Sequence, residues 1–321
     1  MADKPVDFSE LLKDAPKNWG RWGANDELGC LNFLTNEEVL RGVRAVKQGK
    51  TFMLGVPVAR PQGDPLHPIR AQPIHTLTHD EGFYLSGRSK PFPGGLKYSD
   101  DVIVMFPQGT TQYDALGHAW YGDKLYNGYD AKTTIGGLQK CSIEPIANHG
   151  VIGRGVLIDA ARYKGKKHLD RGEGVTLDDV LNAAKQQGVT IEKHDILVLH
   201  TGWLNRFYEE GQQAFFPDGE FDEPGLEYSK ELVQWFYEME IPSISADNIG
   251  CEQGYNRKLQ ALGALHAALL CNLGVIFNEI VWLKDLADDC AKDGQYTFLF
   301  AGAPLKLVYG CGSAVNPIAI K

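Results

Sequence analysis

The chain has 321 residues, 43% hydrophobic and 23% charged, enough apolar mass for a sizeable core and too much for a disordered protein. A formal net charge of -9 disfavours a dedicated nucleic-acid binder. The cysteines at 30, 141, 251, 271, 290 and 311 form no CxxC pair, which argues against a zinc finger and suits reduced thiols in a cytoplasm.

In chain order, the opening segment MADKPVDFSELL carries acidic residues early and lacks the apolar centre of a signal peptide. Thr35-Asn-Glu-Glu38 is a capping-box pattern that predicts a helix through about Val46. DVIVMF (101–106) and GVLIDA (155–160) read as strands, being short, apolar and β-branched. Thr176 precedes LDDVLNAAKQQG, a helix expected to end at Gly188. The strand DILVLH (195–200) follows. Ser229 then opens KELVQWFYEME, whose apolar residues recur at helical spacing until Pro242 stops it. PSISA (242–246) is a strand, 257–272 a helix, and GVIFNE (274–279) and FLFAGAPLKLVYG (298–310) are strands. The longest apolar stretch, near 261–277, is interrupted by His266 and Asn272, so it predicts a buried helix and strand and no membrane span. Helices alternating with strands in the second half indicate an α/β architecture. With no repeat and no convincing linker, residues 1–321 form one expected domain.

The G-x-S-x-G elbow, the Walker loop, G-x-G-x-x-G after a strand and H-E-x-x-H are all missing. Cys311 lies between two glycines with no neighbouring base, as turn cysteines do. Chemistry concentrates instead in FPQGTTQYDALGHAWYGDKLYNG (106–128). Read as a strand, its residues 108, 110, 112 and 114 share one face with no apolar member, because strand side chains alternate. The Ala-Leu-Gly turn then brings His118 to the same side. Gln108, Gln112, Asp114 and His118 offer amide oxygens, a carboxylate and an imidazole, which suit Zn²⁺ or Mn²⁺. A hydrogen-bonded polar strand followed by a turn histidine accounts for the same spacing. His266 sits in an apolar helix, where a satisfied core histidine is the common case. Glu279 ends a buried strand and needs a partner there, because an unpaired buried charge is costly. Asp247 and Glu252, in SADNIGCE, also follow a strand. Trp120, Tyr121 and Tyr126 either wall a flat substrate or simply pack, and Trp203 is a further candidate for substrate contact. Arg70 and Arg162 are both candidate carboxylate clamps, between which the sequence does not choose.

Seven segments in order resemble the cyclase-like family of metal-dependent hydrolases. They are WGANDELGCLNFLT (22–35), QGTTQYDALGH (108–118), VLIDAARYKG (156–165), LVLHTGW (197–203), ADNIGCE (246–252), LHAALLCNLGVIFNE (265–279) and GAPLKLVYGCGSAVNPIAI (302–320). The family includes kynurenine formamidases, isatin hydrolases and a trans-dienelactone hydrolase. Formamidases carry H-x-G-T-H-x-D-x-P-x-H. This chain has Gln108 and Gln112 in place of the first two histidines and Leu116 in place of proline, a pattern similar to the Q-x-x-x-Q-x-D-x-x-x-H branch of the trans-dienelactone hydrolase. The resemblance implies a swivelling β/β/α fold, a mixed sheet with flanking helices. It implies a divalent metal, Zn²⁺ or Mn²⁺, on Gln108, Gln112 and Asp114, with His266 contributing. His118 is the implied acid/base, and Glu279 the group that orients water or holds a second ion. The implied reaction is the opening of a small lactone or a cyclic or N-acyl amide by a metal-activated water. The implied partners are a small-molecule substrate and further copies of the chain, as dimer or tetramer. The alternative is a non-catalytic, metabolite-binding member that lost its histidine ligands.

Overall fold

In the computed structural model, which describes residues 5–321, the most apolar β runs lie side by side. Val151–Asp159, Ile196–His200, Ser243–Ala246 and Ile276–Glu279 form a parallel block. Their side chains are almost all buried, as expected of parallel strands covered on both faces. On one side the sheet continues antiparallel through Thr297–Gly302 and Ile318–Ile320 to Thr51–Met53. On the other, Gln112–Asp114 pairs antiparallel with Ile276–Glu279, and Gly312–Ala314 closes that edge. The result is one nine-stranded mixed sheet with helices against it, the α/β class expected. Of the opening segment read for a signal peptide, residues 1–4 lie outside the described residues. No helix among the described residues is long and apolar enough to cross a membrane.

Local signals set most helix ends. Thr176 and Asp179 exchange both bonds of a capping box, and Leu177–Gln187 ends at Gly188, which takes a left-handed φ of 68° that only glycine adopts freely. Ser229 caps Lys230–Met239 by accepting from Leu232 N at 3.0 Å. Asn36–Ala45 forms without its expected box: Thr35 makes no side-chain cap bond, and Glu38 bonds Arg41 and His194 instead. This helix lies close on the sheet, since a Cβ at Gly42 would stand 2.7 Å from the Gly153 backbone.

Several expectations are corrected. The strand read over 101–106 spans Asp100–Val104, and it pairs with Ile74–His79 in an exposed two-stranded ribbon separate from the main sheet. The last long run stops being a strand at Gly302. Residues 257–263 form turns and bends, so the helix starts only at Ala264 and takes the wide π form over His266–Leu273. Gln108 belongs to a 3₁₀ turn, Pro107–Gly109, not to the strand face that carries Gln112 and Asp114.

Candidate active site

Sheet register builds the first half of the site. Gln112 and Glu279 are directly opposed partners on neighbouring antiparallel strands, so their side chains share a face. Gln112 Nε2 donates to Glu279 Oε2. Asp114, two residues further along, projects to the same side. The first residue of the π-helix supplies His266, whose Nε2 lies 3.6 Å from Asp114 Oδ2 and 3.5 Å from Glu279 Oε1. One ligand atom from each of Asp114, His266 and Glu279 falls within 4.8 Å of the other two.

Both Asp114 oxygens and the Gln112 Oε1 are buried without a hydrogen-bond partner. Buried polar atoms of native proteins are almost always paired, and a buried carboxylate left alone is especially costly. Two convergent carboxylates, an imidazole and an amide oxygen, with Asp114 and the amide oxygen unsatisfied, fit a divalent cation. Gln108 is adjacent: a Cβ at Gly312 would meet Gln108 Nε2 at 2.8 Å and Asp114 Oδ1 at 3.5 Å, so glycine leaves room for both.

Charges are arranged around this point. Burial opposes ionisation of Asp114, but His118 and His266 outweigh it and hold the carboxyl below its ordinary value. Burial together with the Asp114 charge pushes Glu279 up. Burial also disfavours a charged His266, yet Asp114, Glu252 and Glu279 raise it well above the usual imidazole value. Glu252 fixes that ring. It accepts from Leu265 N at 2.8 Å and from His266 N at 2.9 Å, and it stands 2.6 Å from His266 Nδ1, so Nε2 faces the carboxylates.

The cluster opens into a cleft of about 340 Å³, walled by apolar groups such as Ile69, Trp120, Phe221 and Leu262. His118 lines it, with Nε2 3.8 Å from Asp114 Oδ2. The structure thus brings together Gln112, Asp114, His118, His266 and Glu279, with Gln108 at the edge and Trp120 on the wall. Two expected substrate contacts lie elsewhere. The Tyr121 hydroxyl donates to Asn272 Oδ1 at 2.8 Å, outside the cleft lining. Trp203 is fully buried among Phe215, His168 and Arg206. Sequence reasoning missed His67 and Phe221 in the lining, and it noted Glu252 only as a strand-end residue. No local signal marks His67 or Phe221, which reach the cleft through loops.

Residues 54–253 match the Cyclase family, described as "Putative cyclase". A crystal structure described as a novel cyclase is 36% identical, over 95% of this chain and all of that one, at a TM-score of 0.85. Isatin hydrolase A from Ralstonia solanacearum is 17% identical, covering 84% of this chain and 91% of its own, at a TM-score of 0.59. A structure described as a potential metal-dependent hydrolase with cyclase activity is 15% identical, over 84% and 98%, at a TM-score of 0.50. No curated protein sequence matches the chain.

Proposed function

The chain belongs to the cyclase family, and from that premise we propose that it is a metal-dependent hydrolase that opens a small lactone or a cyclic or N-acyl amide. The observation that carries this reading is the orphaned Asp114 carboxylate converging with His266 and Glu279 at the floor of an apolar cleft. Hydrolase neighbours of similar fold support it.

Asp114, His266 and Glu279 would hold the ion, zinc first and manganese second, with the Gln112 and Gln108 amides beside them. Such an ion supplies Lewis acidity toward water and toward a carbonyl oxygen. Gln112 orients Glu279 through its amide N–H, and Glu252 orients His266. His118, at the cleft and 3.8 Å from Asp114, takes the proton of the attacking water and returns it to the leaving nitrogen or oxygen. The apolar walls keep bulk water from the reacting carbonyl. A cytoplasmic location is part of the proposal, supported by six unpaired cysteines. So is self-association, supported by the exposed apolar ribbon.

The test is metal content by mass spectrometry on protein purified without added metal or chelator, followed by a screen of lactones and cyclic amides. Near-stoichiometric zinc or manganese, lost in Asp114→Ala, is expected. His118→Ala should keep the metal and lower kcat by about 10²- to 10⁴-fold. If the wild type takes up no metal after incubation with both ions, the non-catalytic, metabolite-binding reading replaces this one.

A further inference from the structure

Among the residues that line the cleft, Arg70 is the one lysine or arginine. It is half-buried, and its Nη1 donates to the Gln108 carbonyl at 2.6 Å. No carboxylate of the described residues pairs with it. Arg162, the other sequence candidate for an anion clamp, is engaged by Asp159 at 3.0 Å and by Asp288 at 2.9 Å, away from the cleft. Arg41, Arg154 and Arg206 likewise have acidic partners.

A guanidinium carries five N–H donors in a rigid plane. One bond to a backbone carbonyl spends one donor and anchors the group, which leaves the other donors free for a ligand in the cleft. The ligand that matches the remaining fork is a carboxylate, held by parallel, charge-assisted hydrogen bonds. Arg70 also sits where such a group helps. Arg70 lines the same cleft of about 340 Å³ as His118, His266 and Glu279, so one small ligand has access to both the guanidinium and the metal cluster. His67, beside it, does not compete as a cation. Burial and the Arg70 charge hold it below the ordinary imidazole value, and its Nδ1 lies 3.3 Å from Ile69 N as an acceptor. Ile69, Trp120 and Phe221 supply flat or apolar surface in the same cleft.

We infer that Arg70 is a carboxylate clamp and that, on the hydrolase reading above, the substrate class narrows to small lactones or amides that carry a carboxylate. The competing role for Arg70 is only to pin the Gln108 carbonyl, and the two roles separate experimentally.

Binding of benzoate and of its neutral counterpart benzamide is measured by isothermal titration on the full chain, both chelator-treated and zinc-loaded. The wild type should prefer benzoate by about 10-fold or more in both forms, the scale of a charge-assisted bond. Arg70→Gln should bring the two affinities together while leaving benzamide binding and zinc content unchanged, and Arg70→Lys should keep part of the preference. A wild type that binds benzoate no better than benzamide, or does not bind it, overturns the clamp. So does a preference that survives Arg70→Gln, or an Arg70→Gln that loses zinc and both ligands alike. If the preference depends on Arg70 but no lactone or amide is hydrolysed, the hydrolase reading fails and the clamp stands. If lactones are hydrolysed and Arg70→Gln leaves KM for the carboxylate-bearing ones unchanged, the clamp fails and the hydrolase reading stands.

Discussion

Glu252 commits both carboxylate oxygens to one short segment, taking the backbone N–H groups of Leu265 and His266 on two oxygens and facing the His266 ring as well. A carboxylate behind a ligating imidazole sets its tautomer and aim, and losing one typically lowers metal affinity 10- to 100-fold. Glu252→Gln is therefore expected to weaken zinc binding by about that factor in competition with a chromophoric chelator, with the fold intact. Unchanged affinity would reduce Glu252 to a helix cap. At this scale the sequence exposes the residue types but not their partners. His266 and Glu279 stand out because each is polar inside an apolar run. That Gln112 bonds Glu279, 167 positions away, is invisible locally. The same applies to Arg70 over Arg162, and to Trp203, expected at the substrate and found buried against Phe215.

Elements were legible where their ends are chemical. Thr176 with Asp179, Gly188 and Ser229 all act as their residue types require. The end of Lys230–Met239 was misplaced at Pro242, because Glu240 itself turns left-handed at φ 52°. Its carboxylate is held there by Arg21, by Lys193 and by His194 Nε2 at 3.0 Å. Burial works against the charge, but these three partners pull the carboxyl down to about 2. A depressed folded value means that Glu240 stabilises the fold above the ordinary carboxylate range, and that this contribution is lost as pH falls toward about 2. Thermal melts between pH 5 and pH 2 should therefore show a shallower acid slope for Glu240→Gln than for the wild type, with the two converging at the acid end. Identical slopes would mean that the three partners do not favour the charged form. The ribbon strand is legible as a strand, but its place outside the main sheet is not. DVIVMF has the composition of a core strand, and composition does not tell which strand will pair with it.

Over the whole molecule, that ribbon is the main departure from a closed surface. Ile74 and Val104 are direct cross-strand neighbours, 66% and 63% exposed, with Leu77, Val102 and Ile103 also open to solvent. A lone two-stranded ribbon is at best marginally stable in water, and exposed apolar edges invite pairing. A second copy of the chain is the occupant that the family resemblance suggests. Light scattering after size exclusion should give at least twice the 35.5 kDa chain mass, and Ile74→Asp with Val104→Asp should shift it to the monomer. A monomeric wild type would refute the pairing. The sequence by itself determined the α/β class, the places of the four central strands, two of the helix caps and the identity of the groups that carry the chemistry. Periodicity, capping and turn chemistry act over a few residues, so they are written locally. Only the tertiary structure decided which of those groups meet. Asp114, His266 and Glu279 converge because antiparallel pairing and a π-helix join segments up to 165 positions apart in the chain. Register between distant strands depends on packing of the whole sheet, which no short stretch specifies.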